Sequence, residues 1–287
     1  MRRALPFLFL LILMAVSGCS DKQVQLPRRP KFYRSIVSLS PSTSEVIASC
    51  GDIQTLKGRT AACNFPDNMM KPIPIVASVK PDYEAIQKIH PDLIVYDKDL
   101  YSDQDIEKLK STGADFFFID AVTLADYVKE LYVLGSKLAW ETRFNDYIAR
   151  IDSERSTAAA APYSPAPKVA IVLPGSNGDD LICGTDGFLG DIVKICSGVI
   201  VGPKGKQFVP LNAEAFVALN PDVIIVGGSK TDRNQPGLVM ADPRFKTITA
   251  VKQGRVKAMK SDVLLRRGQR VDELIKALHA LMAPDTK

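Results

Sequence analysis

Histidine is scarce in this chain, with only two among 287 residues, His90 and His279. Histidines this far apart do not form the closely spaced pair of a metallohydrolase motif. Ser42 lacks the G-x-S-x-G turn of a serine hydrolase, and no glycine-rich phosphate-binding loop is present. The sequence therefore predicts no catalytic residue, metal or cofactor, and an exported hydrolase is the disfavoured class.

Tryptophan is also scarce, and neither positive nor negative charge dominates the sequence. The chain has one Trp, and its formal charge of +5 falls to +3 without Arg2 and Arg3. Positive and negative residues are interspersed, which argues against a nucleic-acid partner. With 46% hydrophobic and 24% charged residues, the composition is that of a globular protein with one large or two medium domains.

The apolar run at the amino terminus is too short to span a membrane. It follows Arg2 and Arg3 and ends at Val16-Ser17-Gly18-Cys19, so residues 1–18 are predicted to be a signal peptide. Its end resembles the bacterial lipoprotein processing box, in which the Cys is lipidated. We expect an anchor at Cys19, a tether over residues 19–31, and a location in the periplasm or at the cell surface. An ordinary cleaved signal is the alternative.

Four further cysteines, Cys50, Cys63, Cys183 and Cys196, invite pairing in an exported chain. Cys50 and Cys63 fall at opposite ends of a predicted α/β layer. Cys183 and Cys196 fall at opposite ends of a helix, about 18 Å apart, whereas a disulfide needs Cα atoms within about 7 Å. We expect buried or free thiols, with Cys63 and Cys183 both facing a gap between two halves of the chain.

One long amphipathic helix is predicted from Glu141 to Ala160, with an α/β half on each side. Its apolar residues recur with the period of a helix: Phe144, Tyr147, Ile148 and Ile151. Prolines at positions 162, 165 and 167 stop it. At about 1.5 Å per residue the helix is about 30 Å long, and it acts as a rigid strut.

Short apolar strands alternate with helices on both sides of the strut, which predicts parallel sheets covered by helices on both faces. Strands are predicted at residues 35–39, 56–60, 73–76, 93–96, 116–119, 168–173, 223–226 and 255–259. Helices are predicted at residues 83–89, 103–111, 123–138 and 188–195, with a short helix after 242–243 and a last helix ending near 282. Ser42 and Glu45 are spaced as a capping box for a helix after the first strand.

A segment occurs twice without gaps, at residues 83–95 and 213–225. Its Pro-Asp pair is explained by any helix that stops before a strand. That pattern does not explain why both copies carry a glutamate in the first helical turn, Glu84 and Glu214.

Several motifs follow one another in a specific order. They are Ile36–Ser42 followed by Glu45, residues 63–66, both Pro-Asp repeats, residues 250–256, Ser261-Asp262 and residues 266–270. In this order they resemble the substrate-binding lipoproteins of bacterial ABC importers for cobalamin, iron-siderophores and haem, and most closely the cobalamin-binding members. The likeness covers residues 35–282.

The resemblance implies an α/β fold of two lobes with mainly parallel sheets, joined by one long backbone helix. The lobes would be residues 32–140 and 162–287, with the helix at 141–161 and a turn near Trp140. The chain would be a monomer that captures a corrinoid, a cobalamin-like ligand, and delivers it to a membrane permease. Ferric-siderophore or haem binding is the alternative, and a receptor that signals rather than feeding a permease stays open.

In this family one glutamate on each lobe meets arginines of the permease, and Glu84 and Glu214 match these positions. A first-turn carboxylate also favours the positive end of the helix dipole without any partner. Each glutamate starts the helix that precedes a central strand. We therefore expect both to point away from the gap, at the opposite end of the strand from the ligand.

A ligand would lie between the lobes at the carboxyl ends of the strands. The candidate residues there are Phe65, Tyr96, Asp97, Thr185, Phe188, Asp262 and Arg266. By resemblance, Asp262 and Arg266 match the polar pair of the cobalamin binders, and Phe65 matches an aromatic ring that faces the macrocycle. Ser78 and Asp97 stand where those members carry Trp.

An iron chelate would use other residues. Lys80, Arg266 and Arg267 are the cations available for an anionic siderophore. For haem, Tyr96 is the candidate axial ligand, because His90 stands just before a strand and is expected at the wrong end.

Overall fold

The computed structural model describes residues 31–175, 180–228 and 235–284. The predicted signal peptide, the lipidation site Cys19 and the tether up to residue 30 lie outside these ranges. Within them, no helix is long and apolar enough to cross a membrane. The described chain folds into two α/β lobes joined by one long helix, which confirms the predicted fold class.

The first lobe is built on a parallel sheet. Its strands are β1 (Ile36–Ser38), β2 (Leu56–Thr60), β3 (Ile75–Ala77), β4 (Leu93–Asp97) and β5 (Asp115–Ile119). They pair in the order β3-β2-β1-β4-β5. Its helices are α1 (Pro41–Cys50), α2 (Asp67–Met70), α3 (Tyr83–Ile89), α4 (Asp103–Leu109) and α5 (Leu124–Leu138). Every residue of β1 and β4 is buried, as expected for central strands covered on both faces.

The second lobe, which follows the long helix α6 (Glu141–Ala160), is built on a mixed sheet. Its strands are β6 (Lys168–Leu173), β7 (Leu181–Cys183), β8 (Val199–Ile200), β9 (Phe208–Pro210), β10 (Val223–Gly228) and β11 (Val256–Lys260). Their order is β11-β10-β6-β7-β9, and β8 also pairs with β6. β7 and β9 run antiparallel to their neighbours. β7, β8 and β9 were not predicted from the sequence because two or three residues are too few to show a period.

The second lobe has six helices in the described ranges. They are α7 (Phe188–Ile195), α8 (Ala213–Leu219), α9 (Gln235–Ala241), α10 (Thr249–Lys252), α11 (Ser261–Leu265) and α12 (Val271–Met282). The short helix predicted after residues 242–243 is one 3-10 turn, Pro243–Phe245.

Helix α6 has the bounds that the apolar period predicts. Phe144, Tyr147, Ile148 and Ile151 are each at most 2% exposed, and the helix packs against α5 and α12. The single long stripe therefore connects the cores of the two lobes.

The chain turns sharply before α6, as the family resemblance suggested. Ala139 adopts the left-handed conformation with φ 57°, and the N–H of Trp140 bonds the Gly135 carbonyl at 2.9 Å. A Cβ on Gly135 would lie 2.9 Å from Phe144. The absence of a side chain at Gly135 therefore lets α5 and α6 meet closely.

The two copies of the repeated segment have the same structure, α3 before β4 and α8 before β10. Asp82 and Asn212 cap the helices by accepting a backbone N–H at 3.0 and 2.9 Å. His90 and Asn220 end them in the left-handed conformation, with φ 49° and 42°. The same local chemistry thus builds one unit in each lobe.

The aspartate of the Pro-Asp pair ties that unit to its sheet. The carboxylate of Asp92 accepts the N–H of Ser35 at 3.0 Å, and the carboxylate of Asp222 accepts the N–H of Lys168 at 2.8 Å. Each bond anchors the start of the neighbouring strand, so the shared aspartate has a structural explanation in both lobes.

The predicted capping box at Ser42 and Glu45 is wrong. Helix α1 begins at Pro41, and its cap is Ser40, whose hydroxyl accepts the N–H of Thr43 at 3.1 Å. Proline suits the first helical position because its missing N–H would have no partner in the helix. Glu45 lies one turn further on, is 1% exposed, and has another role.

Candidate ligand site between the lobes

The carboxyl edges of the two sheets face each other across a gap. Residues that follow first-lobe strands contact the second-lobe segment 266–270, which follows β11 and α11. This edge of an α/β sheet is where ligands bind. The gap is therefore the candidate ligand site.

Glu45 is the centre of an ion-pair cluster that crosses the gap. Its carboxylate lies 3.0 Å from Arg266 and 2.6 Å from Arg270, and Arg270 also pairs with Asp262 at 3.4 Å. Burial lowers the pKa of Arg270, but the hydrogen bonds and charges of Glu45 and Asp262 outweigh burial and raise it. Two carboxylates and two guanidinium groups thus balance one another, and the central pair of Glu45 and Arg270 is buried.

Arg266 and Phe65 extend this Glu45 cluster. Arg266 donates to the side-chain oxygen of Asn64 at 2.6 Å and to the carbonyl of Ala62 at 3.1 Å. The guanidinium of Arg270 lies 4.3 Å from the ring centroid of Phe65, which is a cation–π contact. The loop after β2 is thereby held against the second lobe.

Gly268 allows the second-lobe segment to approach this closely. A Cβ there would lie 2.5 Å from the carboxylate of Glu45. The carbonyl of Gly268 accepts the hydroxyls of Tyr127 and Tyr147 at 2.7 and 2.5 Å. The segment is therefore tied to α5 and α6 as well as to α1.

Arg267 makes a second, looser contact across the gap. It donates to the carbonyl of Ala121 at 2.8 Å, while Asp97 and Asp99 each lie 3.8 Å from its other terminal nitrogen, too far for a hydrogen bond. Asp97 is 6% exposed, and one of its oxygens has no hydrogen-bond partner among the described residues. Burial raises the pKa of Asp97, whereas Arg267 and nearby serine hydroxyls lower it less.

A cavity of about 210 Å³ lies beside Arg267, between the lobes. Phe188 stands on its wall, edge-to-face against Tyr127 with ring centroids 5.9 Å apart. The apolar part of the wall includes Phe188, Phe208, Leu264 and Cys183. Its charged part consists of the cations Lys206 and Arg267 and the carboxylates Asp99 and Asp120, of which Asp120 is paired with Lys98 at 2.8 Å. The aromatic faces and the two cations could contact a ligand that has an apolar body and negative charge.

Five of the predicted ligand residues lie at the gap. Phe65, Asp262 and Arg266 belong to the Glu45 cluster, so their polar groups and ring are already in contact with protein. Phe188 lines the cavity, and Asp97 lies 3.8 Å from Arg267, which also lines it.

Tyr96 and Thr185 do not line the cavity. Tyr96 is 7% exposed and packs against Phe116 and Phe118, with ring centroids 6.5 and 5.8 Å away. Alternation along β4 sends its side chain into the apolar core of the first lobe. The hydroxyl of Thr185 donates to its neighbour Asp186 at 2.8 Å.

The cysteines are buried free thiols, as expected: Cys50, Cys63, Cys183 and Cys196. Burial raises the pKa of Cys50, Cys183 and Cys196 to about 12, so these three stay protonated. Cys183 lines the cavity, and the sulfur of Cys63 lies 2.9 Å from the Ser44 hydroxyl. In the described ranges, no group of three or more His, Cys, Asp or Glu residues is arranged to hold a metal ion.

Glu84 and Glu214 lie at the carboxyl edges of their sheets, so the prediction that they stand at the opposite end of the strand from the ligand is wrong. β3 and β4 run parallel in one sheet, and α3 between them returns the chain from the carboxyl edge to the amino edge. β9 and β10 are likewise parallel, with α8 between them. The first turn of each helix is therefore on the gap side. Both glutamates are exposed and make no hydrogen bond or ion pair within the described chain.

Glu45 and Arg270 are the site residues that the sequence analysis missed. Glu45 is the only charged residue of α1, and this feature of the sequence could have identified it as a site residue. A lone charge in a helix that follows a buried strand needs a partner. The partner is 225 residues away in sequence, and no local pattern identifies it.

The chain is similar in sequence to a known protein family and to characterised and uncharacterised bacterial transport proteins. A family model described as periplasmic binding protein matches residues 36–263. The uncharacterized ABC transporter substrate-binding lipoprotein YvrC of Bacillus subtilis is 24% identical over 279 residues, covering 95% of this chain and 86% of YvrC. The high-affinity heme uptake system protein IsdE of Staphylococcus aureus is 22% identical over 231 residues, covering 78% of this chain and 77% of IsdE.

A solved structure shares the fold. The periplasmic vitamin B12 binding protein BtuF of Vibrio cholerae matches with a TM-score of 0.73 at 16% identity, covering 87% of this chain and 96% of BtuF. At this identity the likeness concerns the fold alone.

Proposed function

The chain belongs to the periplasmic binding protein family and is an ABC-transporter substrate-binding protein of the haem, siderophore and vitamin B12 class, and we propose that its cargo is an iron chelate, a ferric siderophore or haem. The observation that carries this proposal is the cavity wall, where Phe188 and Phe208 stand beside Lys206 and Arg267. Aromatic faces suit a broad ligand, and the cations suit its negative charge.

The cavity holds only part of such a cargo. At about 210 Å³ it is smaller than the roughly 300–1,000 Å³ of ordinary small-molecule pockets. Leu265 lines it and is 45% exposed, so an apolar surface continues to its mouth. The body of the ligand would lie over this surface with one arm in the cavity.

A corrinoid, the ligand favoured by sequence, becomes the second candidate. The residues on which that prediction rests, Phe65, Asp262 and Arg266, are engaged with Glu45 and Arg270 across the gap. The side arms of a corrinoid end mostly in neutral amides, which need no cation. Because the fold resembles that of a vitamin B12 binding protein, corrinoids are included in the binding test.

Haem and a ferric siderophore differ in whether the protein has to supply a ligand to the iron. Among the described residues that line the cavity, none is Tyr or His, the axial ligands predicted for haem. Tyr96 is in the core, and His90 ends α3 at the amino edge of the sheet. A ferric siderophore encloses its own iron and needs no such ligand, whereas the relative IsdE is named for haem uptake.

The test is a thermal-shift panel with ferric siderophores, haem, cobalamin and cobinamide. A ligand that binds only the folded state stabilises it by about 2.7 kcal/mol at a hundred times its Kd. For a chain of this size, about 2–4 °C per kcal/mol then gives a shift of about 5–11 °C. A shift with an iron chelate and none with corrinoids supports the proposal. The reverse pattern returns the assignment to a corrinoid.

Docking to the permease is assigned to Glu84 and Glu214. Both are exposed, stand at the gap side of their lobes and make no hydrogen bond or ion pair in the described chain. A charge-assisted pair with a permease arginine would contribute up to a few kcal/mol if desolvated, and under about one at a wet rim. The double variant Glu84→Ala, Glu214→Ala should therefore lose uptake and keep ligand affinity.

Glu273→Ala is the matched control, since Glu273 is also an exposed glutamate in a first helical turn. If the only role is with the helix dipole, all three positions cost a few tenths to about one kcal/mol of folding and leave uptake unchanged. Normal uptake by the double variant would end the docking proposal.

The remaining assignments follow from the transport role. We infer that the chain acts as a monomer, has no catalytic activity, and feeds a permease rather than a signalling receptor. Deleting the gene should abolish ligand uptake. A strain that keeps uptake and loses only a transcriptional response to the ligand would identify a signalling receptor instead.

A further inference from the structure

Three neighbouring arginines reach from the second lobe into the gap, but their hydrogen-bonding capacity is used unequally. Each guanidinium carries five N–H donors. Arg266 donates to Glu45, Asn64 and the Ala62 carbonyl at 2.6–3.1 Å. Arg270 donates to Glu45 at 2.6 and 3.2 Å, with Asp262 at 3.4 Å. Both groups are therefore committed to holding the lobes together.

Arg267 is different. In the described chain its one hydrogen bond goes to the Ala121 carbonyl at 2.8 Å. Its nearest carboxylates, Asp97 and Asp99, are 3.8 Å away. They compensate the charge without occupying its N–H groups, so most of the guanidinium donors remain open. The side chain is 18% exposed and lines the cavity.

The surroundings permit a further negative group. Lys206 also lines the cavity, and the neighbouring Asp120 is already paired with Lys98 at 2.8 Å. Asp97 is buried, and burial raises its pKa. A raised pKa makes it easier for Asp97 to lose its negative charge by protonation when another anion approaches Arg267.

We propose that Arg267 is a specificity-determining residue that binds an ionised carboxylate arm of the cargo inside the gap cavity. This inference rests on the proposed function and narrows it, because it requires a cargo that bears a carboxylate. A carboxylate matches the planar fork of Arg and forms two parallel hydrogen bonds with it. The cavity of about 210 Å³ admits such an arm but not a whole macrocycle.

The first experiment compares haem with haem dimethyl ester, which differ only in the two propionates, and ferric citrate with the uncharged chelate ferrichrome. Affinities are measured for wild type, Arg267→Gln, Arg267→Lys and the control Lys204→Gln. Lys204 is an exposed cation of the same region that does not line the cavity. Hydrogen bonds to charged groups contribute about 1.5–3 kcal/mol, which corresponds to a loss of about 10- to 100-fold.

The expected result is that Arg267→Gln weakens binding of the carboxylate probe by at least tenfold and leaves its neutral counterpart unchanged. Arg267→Lys should recover part of the affinity, because it keeps the charge and loses the fork. Lys204→Gln should resemble wild type. Equal losses for the charged and neutral probes, or no loss for either, would overturn the assignment of Arg267.

A second arm does not depend on the cargo. Citrate without iron is titrated into the wild type and the same variants and followed by calorimetry and melting temperature. We expect millimolar binding that disappears in Arg267→Gln and survives in Lys204→Gln. If citrate binds in this way while no iron chelate does, the iron-chelate proposal fails and the Arg267 site stands. If citrate fails to bind or binds all variants equally, the Arg267 site is wrong whatever the cargo.

Discussion

Glu45 gives the sharpest test of what holds the two lobes together. Glu45→Gln changes one atom of a side chain that is 1% exposed and keeps its shape. The amide cannot balance the guanidinium groups of Arg266 and Arg270, which lie 3.0 and 2.6 Å from the native carboxylate. Asp262 at 3.4 Å is then the one remaining carboxylate paired with Arg270 in the described chain. The substitution leaves a buried positive charge only partly compensated.

The expected loss of folding stability in Glu45→Gln follows from the burial of this ion pair. Removing one partner of a buried ion pair costs about 3–5 kcal/mol, and the remaining Gln oxygen and Asp262 place the cost near the lower end, about 3 kcal/mol. That is a large part of a total stability of about 5–15 kcal/mol. At about 2–4 °C per kcal/mol, the melting temperature should fall by about 6–12 °C.

Glu107→Gln is the matched control because it makes the same substitution in an exposed pair. Glu107 lies 2.5 Å from Lys110, with 69% of its side chain exposed. An exposed pair contributes about 0–1 kcal/mol, so this variant should melt within about 4 °C of wild type. Both are measured by thermal melting and by urea unfolding at pH 7. A Glu45→Gln variant no less stable than Glu107→Gln would refute the view that the buried cluster ties the lobes.

Three further predictions concern the anchor, the lobes and pH. Cys19→Ser should move the protein from the membrane to the soluble exported fraction, and a variant that stays with the membrane would exclude the lipid anchor. Small-angle scattering profiles with and without bound cargo should nearly superimpose, because α6 and the cross-lobe contacts resist opening; a clear drop in the radius of gyration would contradict this. Burial raises the pKa of Asp97 above its unfolded value, so its contribution to stability is present at low pH and is lost as pH rises through the folded pKa. Lowering the pH from 7 to about 4, close to the unfolded pKa of Asp, should therefore favour wild type relative to Asp97→Asn in urea unfolding, and a constant difference would contradict it.

The elements that could be predicted from the sequence are those whose own residues determine them. Helix α6 carries an apolar stripe at the helical period and ends before three prolines, so both of its bounds are local information. The strand β6 has the predicted bounds for a similar reason, since it is a continuous β-branched and apolar run. In contrast, β9 is three residues long and exists because it pairs with β7.

The site was less predictable because it is made by contacts between distant parts of the chain. Phe65, Asp262 and Arg266 were predicted as ligand residues at the gap, and in the structure each contacts Glu45 or Arg270. Their common partners, Glu45 and Arg270, are 225 residues apart in sequence. A residue at the carboxyl edge of a strand can face a ligand or the opposite lobe, and only packing decides between them.

The repeated segment shows how structure separates folding residues from functional ones. Its caps, its left-handed helix ends and its aspartates each make a contact that builds the lobe in both copies. Glu84 and Glu214 recur at equal positions, are exposed, and make no such contact in the described chain. Their placement at the gap side of the sheets puts on each lobe one carboxylate without a protein partner among the described residues. The absence of a folding role in both copies supports docking as the reason that both carry a glutamate there.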